Sequence, residues 1–151
     1  MTRVCLVGSP DVDLRRELLS RETARAALST YDLERPFDNS VAVDTVSLGA
    51  AVSLLNDLNW YLVRFSDLSL VREPSVSPDE WLSRDLATAI RDGNVDPDTT
   101  GDHLAVYGLV DGRLVEPMYV VRVDGTIPGY DLRDVDETVV VRVTEAEFGG
   151  A

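Results

Sequence analysis

The sequence predicts a single α+β domain: one mixed sheet whose N-terminal strands are joined by helices and whose C-terminal strands are joined by hairpins, covered by about three helices. Three observations predict it. The N-terminal third alternates short apolar runs with stretches of helical spacing. The C-terminal part is rich in β-branched residues and punctuated by two Asp-Gly pairs, Asp111-Gly112 and Asp124-Gly125. A chain of 151 residues that is 44% hydrophobic suffices for one core and is too short for two comfortable ones. The domain is expected to span residues 1–144, leaving 145–151 as a frayed acidic tail.

Taken in order, Arg3 to Gly8 is an apolar run ending in Gly, the pattern of a buried strand and a turn. Ser9-Pro10-Asp11 then opens a helical stretch, with Asp11 and Asp13 at the positive end of its dipole and Leu14, Leu18, Ala24, Ala27, Leu28 and Tyr31 near helical spacing. The apolar face drifts after Leu19, so Ser20 is a candidate break and cap. Val41 to Val46 reads as a strand, and Gly49 to Leu58 as a helix with Val52, Leu54, Leu55 and Leu58 on one face. The aromatic and β-branched residues of Trp60 to Phe65 favour a second buried strand. Leu68, Leu70 and Arg72 alternate with polar neighbours, as an edge strand stopping at Pro74 would.

Ser77-Pro78-Asp79-Glu80 has the form of a capping box. It predicts a helix carrying Leu82, Leu86, Ala89 and Ile90 on its apolar face and ending at Gly93. Leu104–Val110 and Leu114–Val123 flank Asp111-Gly112 as a hairpin, and Pro117 requires an edge or a bulge. After the acidic passage from Gly129 to Glu137, Thr138 to Thr144 reads as a last strand with Val139, Val141 and Val143 inward. These strand-helix alternations near the N-terminus are the pattern of parallel crossovers.

Charge is the most informative feature of the composition. The chain holds 27 acids and 14 bases for a formal net charge of −13, and every base is arginine. Such a surface repels nucleic acid and anionic membranes. Self-repulsion of this size weakens as the Debye length shrinks to about 3 Å in 1 M salt, so the composition suits a salt-rich cytoplasm. A GC-rich genome would account for missing lysine, but not for the acid excess. No run reaches the length of a membrane span, the first residues lack a secretory signal, and a cytoplasmic location is expected. Cys5, the single cysteine, has no internal disulfide partner.

Candidate chemistry is thin, and each candidate has an ordinary structural reading beside it. Gly8, Ser9, Asp11 and Asp13 sit where a strand-helix turn can hold a ligand on free N–H groups. The glycine fingerprint is absent, Pro10 lacks an N–H, and the two acids repel an anion, so a plain turn is favoured. Asp92, Asn94, Asp96 and Asp98 start with calcium-loop spacing, but Pro97 and His103 replace the expected Gly and Glu. Cys5 lies in an apolar strand and His103 has no nucleophile motif near it, so neither reads as catalytic. Asp131, Asp134, Asp136 and Glu137 form an acidic cluster of a kind expected by chance among so many acids. Residues 1–35 are neutral, with six Arg and six acids, so the rest of the chain carries all −13. Arg15, Arg16, Arg21 and Arg25 therefore mark the expected partner-docking face, although pairs such as Glu17 with Arg21 explain them as surface charge too.

With Leu18-Leu-Ser-Arg-Glu-Thr-Ala-Arg-Ala-Ala-Leu28, Ser47 to Phe65 and Glu80-Trp-Leu-Ser-Arg-Asp-Leu-Ala-Thr-Ala-Ile90 in view, the chain resembles a family of small haloarchaeal proteins of unknown function. The resemblance implies a halophilic archaeal source and a cytoplasmic location, and it brings no catalytic residues with it. The expected function is a non-enzymatic protein-interaction or regulatory module with an unidentified protein partner, no cofactor, no nucleic acid and no membrane. The alternative is a small-ligand or nucleotide-binding enzyme using a pocket after the first strand.

Overall fold

The computed structural model describes residues 1–127 and 136–149. Their backbone forms one seven-stranded sheet in the order β2-β1-β3-β4-β7-β5-β6. The strands are β1 (Thr2–Gly8), β2 (Ser40–Thr45), β3 (Ser66–Arg72), β4 (Trp81–Ser83), β5 (His103–Val110), β6 (Arg113–Val121) and β7 (Glu137–Arg142). Six short helices accompany them: α1 (Leu14–Leu19), α2 (Glu22–Leu28), α3 (Leu48–Asp57), α4 (Asn59–Phe65), α5 (Arg84–Arg91) and α6 (Glu145–Gly149). The α+β class is as predicted, with more and shorter helices than the three expected.

The sheet is mixed, but its N-terminal half is not built on parallel crossovers. β1 pairs antiparallel with both β2 and β3, and the parallel pair among the described strands is β4 with β7. Each β1 residue pattern serves two cores. Val4 and Leu6 face a cluster under the helices with Leu14, Leu18, Leu55, Leu58 and Leu82. Cys5 faces the opposite side, where Ala42, Leu70, Trp81, Ala105 and Val141 pack together. That second cluster joins strands from both ends of the sheet, so the sheet rolls on itself. A hydrogen bond from Asp38 N to Gly112 O, at 2.7 Å, closes the roll between the segment before β2 and the β5–β6 hairpin.

Several local expectations hold. The helical stretch after β1 breaks after Ser20, whose hydroxyl turns back to Glu17 O at 3.0 Å; the second helix is entered through Arg21. Asp111 and Gly112 both have positive φ, 51° and 80°, as a two-residue hairpin turn of the I′ kind requires. β6 is an edge strand and is bulged at Glu116-Pro117, where Val106 pairs with Met118 but Gly108 pairs with Val115. α5 ends in a Schellman motif, with Gly93 N bonding Ile90 O and Asn94 N bonding Ala89 O.

Other expectations are corrected. Trp60 to Phe65 is helix α4, not a strand, because Leu58, Tyr61, Leu62 and Phe65 all turn inward at helical spacing while Trp60, Val63 and Arg64 stay outside. β3 is central, lying between β1 and β4, with Leu70 and Val71 buried on its two faces. Ser77 does not start a helix: its oxygen accepts from Glu80 N at 3.0 Å in a turn, and Trp81 and Leu82 then bury on opposite faces as strand β4. Ser83 is the cap of α5, accepting from Leu86 N at 3.2 Å. Residues 145–149, expected to fray, form α6. Glu147 there accepts from the Ser83 hydroxyl at 2.6 Å, and Phe148 lies against His103 and Tyr119.

Candidate functional site

The turn after β1 is built for structure. Asn39, at φ 51°, accepts from Leu14 N through its side-chain oxygen and donates to Ser9 O through its side-chain nitrogen, each at 2.9 Å. Ser9 N bonds Phe65 O, Val12 N bonds Ser9 O, and Arg16 N bonds the Asp13 carboxylate that caps α1. The N–H groups of Gly8, Ser9, Val12, Leu14 and Arg16, five of those a phosphate would use, are therefore engaged within the protein. Ser9 Oγ donates to Asp67 at 2.9 Å. Asp11 and Asp13 line a surface depression with Arg15 and Arg35, which adjoins, at Pro10 and Asn39, the cleft that Gly8 reaches.

The expected arginine face divides. Arg15 and Arg16 are exposed on α1, Arg15 beside Asp13. Arg21 instead folds over α4, its guanidinium 5.1 Å from the Phe65 ring centroid and 5.9 Å from that of Trp60, while pairing with Glu17 at 3.2 Å. Arg64, one turn after Trp60, lies 3.8 Å over the same ring and donates to Trp60 O. Trp60 keeps 49% of its surface in water and Val63 keeps 71%. Arg25, a helical turn after Arg21, is also exposed. The result is an exposed aromatic ring with two guanidinium groups close to it, at 3.8 and 5.9 Å, in a stretch expected to be a buried strand.

The remaining candidates have structural roles. Asp92 pairs with Arg91, Asn94 closes the Schellman turn through its backbone N–H, and Asp96 caps the 3-10 turn Pro97–Thr99 by accepting from Asp98 N. Among the described residues no group of three or more His, Cys, Asp or Glu side chains comes close enough to hold a metal ion. Asp131 and Asp134 lie outside the described residues; Asp136 accepts from Asp111 N, and Glu137 opens β7. Cys5 is fully buried, and that burial pushes its thiol up to about 12 against the pull of Arg3 and Arg72. The His103 ring rests 4.9 Å from that of Phe148.

A deeper feature escaped the sequence reading. At one mouth of the rolled sheet, β1, β3, β5 and β6 surround a cleft of about 450 Å³, lined among others by Gly8, Asn39, Tyr107, Arg113 and Glu116. Burial, with Tyr119 and Glu147 adding to it, pushes the Tyr107 hydroxyl up to about 12. No sequence motif signals the cleft, because its walls come from segments about a hundred residues apart that meet only once the sheet has rolled.

The family described as a family of unknown function, DUF5804, matches residues 2–109. The chain belongs to it. No curated protein and no solved structure matches the chain. The DUF5804 match takes in α1 to α5 and the Trp60 surface, and ends within β5, so β6, β7 and α6 lie beyond it. Haloarchaeal origin, which the resemblance implied, is not part of what this match shows. No helix among the described residues is long and apolar enough to cross a membrane.

Proposed function

We propose that this DUF5804 protein is a non-enzymatic interaction module of a salt-rich, haloarchaeal cytoplasm, docking an acidic segment of a partner protein on the α2–α4 surface. The observation that carries this reading is Trp60, half-exposed, in contact with Arg64 and near Arg21. Trp and Arg are among the residues that most often anchor interfaces, and cation–π contacts to the Trp60 ring restrict the indole. Charge supports the choice of partner: this surface lies in and beside the neutral first 35 residues, whereas the remainder of the chain is strongly acidic. In molar salt, long-range attraction is screened within about 3 Å, so docking there relies on contacts of this kind, apolar and charged at touching distance.

Replacing Trp60 with Ala and Arg21 and Arg64 with Gln removes the anchor without opening the core, because Trp60 and Arg64 are exposed. Pull-downs at native salt with wild type and this triple variant, each checked for its thermal midpoint, test the reading. Partners bound by wild type are expected to be lost by a folded variant, and binding of each to fall about tenfold or more. Replacing Arg15 and Arg16 instead should change nothing. A folded triple variant that retains every partner rules the surface out.

A further inference from the structure

We propose that the cleft at the mouth of the rolled sheet binds a small zwitterion of amino-acid size, its ammonium group held between Asp67 and Glu116, its carboxylate on Arg113, and its apolar part against Val7 and Leu68. The supporting geometry is a pair of β-bulges. Between β1 and β3 the register shifts so that Val7 pairs with Leu68 but Gly8 pairs with Ser66, which leaves Asp67 as the extra residue. Between β5 and β6 the shift leaves Glu116 and Pro117 facing Tyr107. Bulges re-aim side chains and gather beside functional sites. Here two of them, one on the β1–β3 pair and one on the β5–β6 pair in the other half of the sheet, bring their acidic residues to one cleft.

Among the described residues the cleft's charges are little engaged: Arg113 and Glu116 enter no ion pair with them, and Asp67 accepts one side-chain bond from them, from Ser9. Asp38 is different, being paired with Arg35. The Tyr107 hydroxyl remains a neutral donor across the physiological range. The ligand class follows by matching these groups. Two carboxylates repel a phosphate or nucleotide, and a bare divalent cation wants about six oxygen ligands. A wholly apolar molecule would strip water from Arg113 and Glu116 and return nothing. A molecule with one ammonium, one carboxylate and a modest apolar part satisfies all of them, and a cleft of about 450 Å³ has room for it.

The inference is independent of the Trp60 surface. It is tested by titration calorimetry on the full chain at a salt concentration where it is folded, with the twenty proteinogenic amino acids one at a time. At least one apolar amino acid is expected to bind saturably. Its N-acetyl derivative, which lacks the ammonium, and its amide, which lacks the carboxylate, should each bind about tenfold more weakly or worse. Glu116→Gln and Arg113→Gln should reproduce those two losses while leaving the thermal midpoint in place, since both side chains are exposed. Absence of saturable binding across the panel overturns the proposal. So does a derivative that binds as well as the parent, or binding that survives both substitutions.

Discussion

Gly8 shows how little freedom the turn after β1 has. A Cβ at that position would stand 2.6 Å from Asn39 Nδ2 and 2.8 Å from Leu14 Cβ, so Asn39 must abandon its clamp on Ser9 and Leu14. Gly8→Ala is therefore expected to destabilise the protein by about 1 to 3 kcal/mol, as overpacking of a tight site does. Gly49→Ala is the contrast: its Cβ meets only Ser47 Oγ at 3.8 Å inside α3, and relief of glycine's chain entropy should stabilise by about 0.5 to 1 kcal/mol. Urea midpoints of the two variants should move in opposite directions, and a neutral Gly8→Ala would mean that the clamp can yield. Single groups also set the alkaline limit. Cys5 and Tyr107 have folded pKa values raised to about 12, from 9.0 and 10.0. Above pH 9 the unfolded chain loses these protons first, so stability is intact below that point and falls as pH rises toward 12. Urea unfolding followed across that range checks the sign, and the thiol should resist alkylation at pH 8 until the protein unfolds.

Elements were legible where a cap or turn left one solution and illegible where two patterns overlapped. The Asp111-Gly112 hairpin and the Gly93 helix end are fixed by positive φ, which few residues tolerate, and both were readable. α4 was not, because its aromatic and β-branched residues carry a strand preference that tertiary packing overrides. The deciding signal was present all the same: Leu58, Tyr61, Leu62 and Phe65 repeat at the spacing of one helical face. β4 failed for the opposite reason. Ser77 and Ser83 both look like helix caps; the first closes a turn, and the three residues Trp81–Ser83 are too short a strand to show alternation. The two serines make this testable. Ser83→Ala removes the cap of α5 and a bond to Glu147, so a loss of about 1 to 2 kcal/mol is expected, accompanied by lower helical ellipticity near the midpoint. Ser77→Ala should leave helix content unchanged. An equal loss of helix signal in both variants would contradict the assignment of the start of α5.

At the scale of the molecule, the site was hidden because rolling the sheet creates it. Gly8 was singled out from its own neighbourhood, but Tyr107, Arg113 and Glu116 reach the same cleft only through the strand order, which sequence periodicity does not encode. The roll is tied by charge as well as by packing. Glu80 takes Arg122 Nη2 on both oxygens, at 2.6 and 2.7 Å, and Arg142 Nε at 2.8 Å, joining the entry to β4 with β7 and the end of β6. Burial opposes its ionisation, yet the two guanidinium groups hold the carboxyl below its usual 4.5. Its contribution is thus present above that value and lost as pH falls below it. Glu80→Gln should cost about 2 to 3 kcal/mol at neutral pH, the scale of hydrogen bonds to charged groups, and flatten the acid limb of the stability profile. The rest of the charge works against the fold. After residue 35 there are 21 acids and eight Arg, and among the described residues the ion pairs engage Glu17, Glu34, Asp38, Asp44, Glu80 and Asp92, leaving most carboxylates to repel one another. In dilute buffer that repulsion reaches across the domain; in 1 M salt it is cut to about 3 Å. Cooperative thermal unfolding is therefore expected in molar KCl, with a midpoint that falls steadily on dialysis to low salt and a transition that broadens or disappears. Sucrose at matched osmolality should restore much less of it, because exclusion of a neutral solute strengthens burial but leaves the charges unscreened. Full cooperative stability in low-salt buffer, unchanged by added KCl, would show that the acidic surface is no obstacle to folding and would remove the physical basis for a salt-rich setting.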